Sequence, residues 1–317
     1  MQYRRLGRAG IEVSAIALGS WLTYGTVTAQ ETAQACVREA FELGINHFDC
    51  ANAYGSEPHA AERSLAQALK PYRRDAYVLT TKAFWPVGPR PNQRGLSRKH
   101  LMHELNESLR AFETDYVDIF YCHRADPQTE VEETLRAIDD MVRQGKVLYA
   151  GISEWQPAQI AQALAVQERL SLHPLRASQP VYNLLNRYIE SAVLPLCEAA
   201  GIGLVVFSPL AQGLLTGKYR KGQAIPPGSR ASEARVRSSI ERALTDENLD
   251  RVEQLVTVAQ ELGVTMSQLA LAWVLRQPAI SSALIGASSP EQIRENVKAV
   301  DMTLSEESLA RIDAILS

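Results

Sequence analysis

DYVDIFYCHRADPQTEVEETLRAIDDMVRQGKVLYAGIS, residues 115–153, holds two short apolar runs separated by an amphipathic segment. Val117–Cys122 and Leu148–Ile152 are rich in β-branched and aromatic residues, which predicts strands. Between them Glu130–Val142 places Val131, Leu135 and Ile138 at helical spacing. Strand, helix and strand in this order form one βα repeat, with the two strands parallel. The strands are apolar without clean alternation, as expected where both faces are covered.

The same rhythm extends in both directions. Further strands are expected at Ala15–Leu18, Asn46–Asp49, Tyr77–Thr81, Leu175–Gln179, Leu204–Phe207 and Ala283–Gly286. Helical periodicity marks Thr32–Leu43, Lys99–Phe112, Leu249–Leu262 and Ser267–Leu275. Eight such strands predict an α/β fold, a (β/α)8 TIM barrel, as one domain over residues 1–317. Tyr3–Leu6 and Glu12–Ser14, turning through Gly7 and Gly10, read as an N-terminal hairpin that plugs one end. The long interval before the eighth strand carries a loop, GKYRKGQAIPPGSRAS (217–232), and extra helices. Ser305–Leu316 reads as a last C-terminal helix capped by Ser305.

Composition narrows the function. Thirty-three basic and 36 acidic side chains give a formal net charge of -3, without the basic excess of a nucleic-acid or membrane-surface binder. No apolar run reaches the ~18 residues of a membrane span. The opening MQYRRLGRAG has no apolar stretch behind its charges, so a signal peptide is not expected. Cys36, Cys50, Cys122 and Cys197 form no C-x-x-C pair, which fits a reduced, cytoplasmic protein without a bound metal.

In a barrel of this kind the active site lies at the C-terminal ends of the strands. Asp49 ends the second expected strand, Lys82 follows the third and His123 the fourth, and Tyr54 lies five residues beyond Asp49. Each alone reads most simply as a structural residue; together they form a proton-transfer set. A tyrosine hydroxyl is a weak acid, with a reference pKa of about 10. A neighbouring ammonium favours its phenolate, and a carboxylate keeps that ammonium charged when buried. A histidine can donate to a carbonyl oxygen. The set suits carbonyl reduction and offers no nucleophile. A second constellation follows the last strand. In IGASSPEQIRENV (285–297), Ser289 is a candidate N-cap and Pro290 the first helical residue, so Ser288, Gln292 and Asn296 face the end of a helix suited to phosphate. SPLAQGLLTGKY (208–219) lacks the P-loop spacing, and there is no G-x-G-x-x-G after a strand.

GINHFDCANAYG, TTKAFW, RGLSRKHL, DYVDIFYCHRAD, FSPLAQGLLTGKY and LIGASSPEQIRENV together resemble the aldo-keto reductases over nearly the whole chain. The resemblance is to the branch of the potassium-channel β-subunits and bacterial L-glyceraldehyde 3-phosphate reductases. It implies an NADPH-dependent oxidoreductase that reduces aldehydes or ketones to alcohols, with NADPH/NADP+ expected over NADH. The family's catalytic tetrad falls on Asp49, Tyr54, Lys82 and His123, with Tyr54 as proton donor. Ser153 and Gln179 would hold the carboxamide, Phe207 would stack on the nicotinamide, and Ser20 and Trp21 would flank its ribose. Ser208, Leu210, Gly213 and Lys218 would line the pyrophosphate, Arg230 the adenosine end, and Ser288, Gln292 and Asn296 the adenosine phosphate. Asp49, Pro209, Ala211, Gly286 and Glu295 complete the cofactor-binding set.

Glu154 stands where many members have Asn, near the carboxamide. Ala287-Ser288 and Gln292 stand where many have Lys-Ser and Arg. His123 stands where the channel subunits have Asn, which favours an enzyme. The expected substrate is a small carbonyl compound, in a pocket of Trp21, Tyr54, Trp85, His123 and Tyr182, with Tyr24 and Phe84 as further aromatic candidates. Arg90, Arg94, Arg98 and Lys99 read as a solvated basic loop and helix start, or as an attractor for a phosphorylated triose. The alternative function is an NADPH-binding redox-sensing regulatory subunit. A homo-oligomer, tetrameric by the resemblance, is implied.

Overall fold

The computed structural model describes residues 1–234 and 236–317. Two short strands, β1 (Tyr3–Arg5) and β2 (Glu12–Ser14), form an antiparallel hairpin. The chain then alternates as expected: β3 (Ile16–Gly19), α1 (Gln30–Glu42), β4 (His47–Asp49), α2 (Ala60–Leu69), β5 (Val78–Ala83), α3 (Arg98–Phe112), β6 (Val117–Cys122), α4 (Val131–Arg143), β7 (Val147–Ser153), α5 (Pro157–Leu170), β8 (Leu175–Gln179), α6 (Val193–Ala200) and β9 (Gly203–Phe207). α7 (Ser238–Glu241), α8 (Asp246–Glu261) and α9 (Met266–Leu275) fill the interval before β10 (Ile280–Ile285), and α10 (Pro290–Val297) and α11 (Glu306–Leu316) finish the chain. Strands β3 to β10 close into one barrel in the order β10-β3-β4-β5-β6-β7-β8-β9, parallel throughout. This is the (β/α)8 barrel.

Alternation along β6 shows why the strand is apolar on both faces. Ile119 and Tyr121 pack inside the barrel with Val78, Ala177, Val205 and Leu284. Phe120 and Cys122 point outward into the layer under the helices. Gly151 on β7 makes room for the inward Tyr121, since a Cβ there would sit 2.5 Å from its ring. On α4, Thr134, Leu135, Ala137, Ile138 and Met141 are buried on the face that covers the barrel.

The hairpin closes the barrel's N-terminal end. Leu6 and Val13 are fully buried among the inward-facing strand residues. Gly7, at φ +55°, lies so close to the next backbone that a Cβ would fall 2.4 Å from Gly201 O and 2.5 Å from Gly203 N. The N-terminal segment also clasps the last strand. Ala283 N donates to Ala15 O (2.9 Å), Ser282 Oγ to Ser14 O (2.7 Å) and Ser281 Oγ to Arg5 O (2.9 Å).

Six of the eight barrel strands differ from the sequence reading at one end or both, and two strand ends, the start of β10 and the end of β5, shift by more than one residue. β10 begins at Ile280 rather than Ala283 and ends before Gly286, because Ser281 and Ser282 satisfy their hydroxyls on the N-terminal segment and so sit comfortably in a buried strand. β5 runs on to Ala83, so Lys82 lies within the strand. Ser305 caps α11 through Ser308 N, as its sequence indicates. Ser289 precedes α10 without a side-chain cap; instead Gln292 Oε1 accepts from Ser288 N at 2.9 Å.

Candidate active site

Asp49, Lys82, Ser153, Gln179 and Phe207 stand at the C-terminal ends of β4, β5, β7, β8 and β9, and His123 directly follows β6. The strands are all parallel, so these ends lie on one rim. Lys82 is completely buried and Asp49 nearly so. Lys82 Nζ donates to Asp49 Oδ2 (2.5 Å) and to Cys50 O (2.8 Å). Asp49 Oδ1 accepts from Thr80 Oγ1 (2.6 Å) and Gln179 Nε2 (3.0 Å). The carboxylate is thus saturated by one cation and two neutral donors, the condition under which a buried charge is tolerated.

Tyr54 reaches this pair from the loop after β4. Its hydroxyl lies 3.4 Å from His123 Nε2, and Lys82 Nζ is 5.0 Å from its ring centre. Burial pushes the Tyr54 phenol well above its ordinary range, Asp49 and Cys50 add to this, and Arg124 opposes it. The expected lowering by an ammonium is therefore not the dominant influence: Lys82 spends its charge on Asp49, and Tyr54 is held protonated. Burial, Lys82 and Arg124 push His123 well below its ordinary value. Near neutral pH the pair is a protonated phenol beside a neutral imidazole, which is what a proton donor and an orienting hydrogen-bond partner require.

The Tyr54 loop is itself anchored by buried charge. His59, at φ +64°, sits between Glu62 (Nδ1–Oε2 2.5 Å) and Glu104 of α3 (Nε2–Oε2 3.5 Å). Asn52 Nδ2 donates to the same Glu104 oxygen at 2.7 Å, and His59 N to Asn52 O at 2.7 Å. Burial disfavours a charged His59, but its hydrogen bonds with Glu104 and Glu62 outweigh that and raise its pKa to about 9.

A cavity of about 1240 Å³ runs from this rim across the barrel's end. At one end it is walled by Trp21, Tyr54, Trp85, His123, Ser153 and Gln179. Phe207, Ser208, Pro209, Leu210 and Gly213 line its middle. Lys218, Arg230, Gly286, Ser288, Gln292, Glu295 and Asn296 line the far end around the start of α10. The turn after β9 is strained, with Ser208, Ala211 and Gln212 all in left-handed conformations, a feature concentrated at functional sites. Gln212 joins Ser208 Oγ to the Arg230 guanidinium, at 2.5 Å on each side.

Some expected residues lie elsewhere. Ser20 is buried behind the wall, where its hydroxyl donates to Asp49 O (2.9 Å), and Ala211 is buried beneath the turn. Tyr182 is fully buried outside the cavity. Its hydroxyl donates to Glu190 (2.5 Å) and its ring packs 5.1 Å from Trp273, because its side chain points toward the helix layer. Tyr24 is a core residue, and Phe84 lies edge-on beneath Trp85. Glu154 turns away from the cavity, accepting from Val181 N (2.7 Å) and Tyr188 Oη (3.1 Å). None of Arg90, Arg94, Arg98 and Lys99 lines the cavity; Arg98 pairs with Asp140 at 2.5 Å. Arg124, Gln212 and the His59 anchor were not singled out from sequence. Arg124 was accessible to it, as the residue next to His123 beyond the same strand.

Residues 15–317 match the family model described as the aldo/keto reductase family. The chain belongs to the aldo/keto reductase family. It is 42% identical to a probable voltage-gated potassium channel subunit beta of Oryza sativa subsp. japonica, over 100% of this chain and 97% of that protein. It is also 42% identical to an L-glyceraldehyde 3-phosphate reductase of Escherichia coli O157:H7, over 99% of this chain and 92% of the relative. A putative voltage-gated potassium channel subunit beta of Schizosaccharomyces pombe matches at 42%, over 99% and 93%. The family is one of oxidoreductases that typically use nicotinamide cofactors, and the barrel and its rim agree with membership.

Proposed function

We propose that this protein is an NADPH-dependent reductase of small aldehydes or ketones, with Tyr54 as general acid. The observation that carries the reading is the convergence of Tyr54, His123 and the buried Asp49–Lys82 pair at one end of a long cavity, with Lys218 and Arg230 at the other.

The far end fits an extended anionic nucleotide. Arg230 is half-buried, and the hydrogen bond recorded for its guanidinium is to the neutral Gln212. Burial pulls its pKa down, and among the described residues no carboxylate lies at ion-pair distance, so an incoming phosphate supplies a partner. Lys218 lies nearby, and the start of α10 adds the positive end of a helix. Ser288, Gln292 and Asn296 there support the choice of NADPH, whose extra phosphate that end can hold.

NADPH, when bound, supplies the hydride that goes to the carbonyl carbon. Tyr54 donates its phenolic proton to the carbonyl oxygen. His123, neutral and 3.4 Å from the Tyr54 hydroxyl, holds that oxygen in line. Lys82, fixed by Asp49 and Cys50 O, stabilises the phenolate that Tyr54 becomes. Trp21 and Trp85 flank the entrance and exclude water from the exchange.

The test is NADPH consumption against a panel of aldehydes, for wild type and Tyr54→Phe. Loss of the general acid is expected to lower kcat by about 100-fold or more with NADPH binding retained. Undiminished turnover by Tyr54→Phe overturns the assignment of the proton donor, and failure to bind any nicotinamide overturns the reading as a whole. The names of the channel-subunit relatives support a second reading, a regulatory subunit that senses nicotinamide redox state. Tight NADPH binding without turnover of any carbonyl compound favours it.

A further inference from the structure

Arg124 lines the cavity without the carboxylate partner that several other arginines of the barrel have. Arg74 pairs with Asp118, Arg187 with Glu190 and Asp313, and Arg276 with Glu190. Arg124 has no carboxylate at ion-pair distance among the described residues. Its Nη1 donates to its neighbour's carbonyl, His123 O (2.5 Å), and weakly to Ser153 Oγ (3.5 Å). Its Cζ lies 5.5 Å from the Trp85 ring centre. These contacts orient the guanidinium without neutralising it, and they leave its other N–H groups free for a ligand.

Its position is specific. Arg124 lines the cavity at the same end as Tyr54 and His123. Trp21, Tyr54, His123 and Trp85 form a continuous arc there, with ring centres 6.4, 5.6 and 6.1 Å apart in succession. Arg124 flanks the Trp85 end of that arc. Both candidate counter-ions near it are committed elsewhere: Asp126, two residues on, accepts from Leu96 N (2.8 Å), Gln128 N (2.9 Å) and Thr129 Oγ1 (2.8 Å), and Glu154, next to Ser153, accepts from Val181 N and Tyr188 Oη. The charge is felt at the reacting groups: Arg124 pulls both Tyr54 and His123 toward lower pKa. A second unneutralised guanidinium, Arg230, lies at the opposite end of the cavity, where the phosphates of a nucleotide are proposed above. The two cations therefore face opposite ends of one cavity.

We propose that Arg124 determines substrate specificity by binding an oxyanion, a carboxylate or a phosphate, carried by the carbonyl substrate on a short tether. This rests on the reductase reading and narrows it to anionic carbonyl compounds. The guanidinium holds the substrate's charged end against Trp85 while the carbonyl oxygen meets Tyr54 and His123. Because the contact is a charge-assisted fork rather than a point charge, lysine replaces it only in part.

The experiment uses matched pairs of substrates with purified full-length protein: 4-carboxybenzaldehyde against benzaldehyde, and glyceraldehyde 3-phosphate against glyceraldehyde. Wild type, Arg124→Met and Arg124→Lys are compared by kcat and KM, with NADPH dissociation constants and thermal unfolding recorded alongside. Wild type is expected to favour the charged member of at least one pair. In Arg124→Met the charged-to-neutral ratio of kcat/KM is expected to fall about 10- to 100-fold through KM, the scale of a charge-assisted hydrogen bond. Arg124→Lys is expected to recover part of that ratio. The carboxylate pair and the phosphate pair separate the two anions. Equal use of charged and neutral members by wild type overturns the proposal, as does an unchanged ratio in Arg124→Met. Loss expressed as weaker NADPH binding also overturns it, since the guanidinium then serves the cofactor. Absence of turnover with every substrate, while NADPH binds, overturns the reductase reading and this proposal with it.

Discussion

Replacing Lys82 by methionine separates the structural role of the Asp49–Lys82 pair from its chemical role. Lys82 is wholly inaccessible, and its ammonium is the only cation on Asp49 Oδ2 among the described residues. Lys82→Met leaves a buried carboxylate held only by Thr80 Oγ1 and Gln179 Nε2. Breaking one side of such a pair costs about 3–5 kcal/mol, because the remaining charge is uncompensated. Asp49→Asn in the same chain removes that charge. It keeps the Oδ1 acceptor that Thr80 and Gln179 need. The double variant Asp49→Asn/Lys82→Met is therefore expected to be more stable than Lys82→Met alone, by about 2–3 kcal/mol of coupling between neighbouring sites. Equilibrium unfolding in urea, followed by fluorescence and circular dichroism, measures both differences. Turnover is expected to stay low in both variants, because neither leaves a cation 5.0 Å from the Tyr54 ring. A loss below about 1 kcal/mol for Lys82→Met, or a double variant no better than the single, would refute the picture of a saturated buried ion pair.

The loop anchor predicts a pH dependence. His59 titrates at about 9 in the folded chain against an ordinary value of 6.5, so its contribution is complete below about pH 6.5 and is lost as pH rises through about 9. Unfolding free energies measured across that window should decline for wild type and be flatter for His59→Gln; identical slopes would show that Glu62 and Glu104 do not hold a protonated His59. Gly7→Ala should destabilise the fold by about 2 kcal/mol or more, since the new methyl group meets backbone at Gly201 and Gly203 and the residue has positive φ. A neutral result in thermal unfolding would mean the hairpin is not docked as described. Arg230→Met should weaken NADPH binding about 10- to 100-fold in a nucleotide fluorescence titration; an unchanged constant would remove Arg230 from the cofactor end.

The barrel was legible because its strands are buried on both faces. Val117–Cys122 and Leu175–Gln179 match the expected bounds, since sheet and helix layer both demand apolar residues there. β10 was shortened in the reading because Ser281 and Ser282 look like a turn until their hydroxyl partners in the hairpin are known. Asp49, Lys82 and His123 were legible because they lie at or directly beyond strand ends, and Tyr54 through its spacing from Asp49 in the loop that follows. Side-chain direction was not. Tyr182 and Trp85 both follow strands closely, yet one points into the helix layer and the other into the cavity. The His59–Glu104 contact was invisible for a different reason: it joins residues on separate repeats, and no local period records it.

The clasp between the N-terminal segment and β10 sets an order of events for the growing chain. β3 has two neighbours, β4 and β10, and the second is synthesised only after nearly all the rest. Until Ile280–Ile285 emerges, the outer side of Ile16–Gly19 and the hairpin carbonyls at Arg5 and Ser14 have no mates. A ribosome-bound chain stopped between β9 and β10 therefore exposes two open strand edges, at β3 and β9, of the kind that recruit other chains. Pairing Ile16 with Ala283 closes a loop spanning most of the polypeptide, so barrel closure is expected late in folding, and slow.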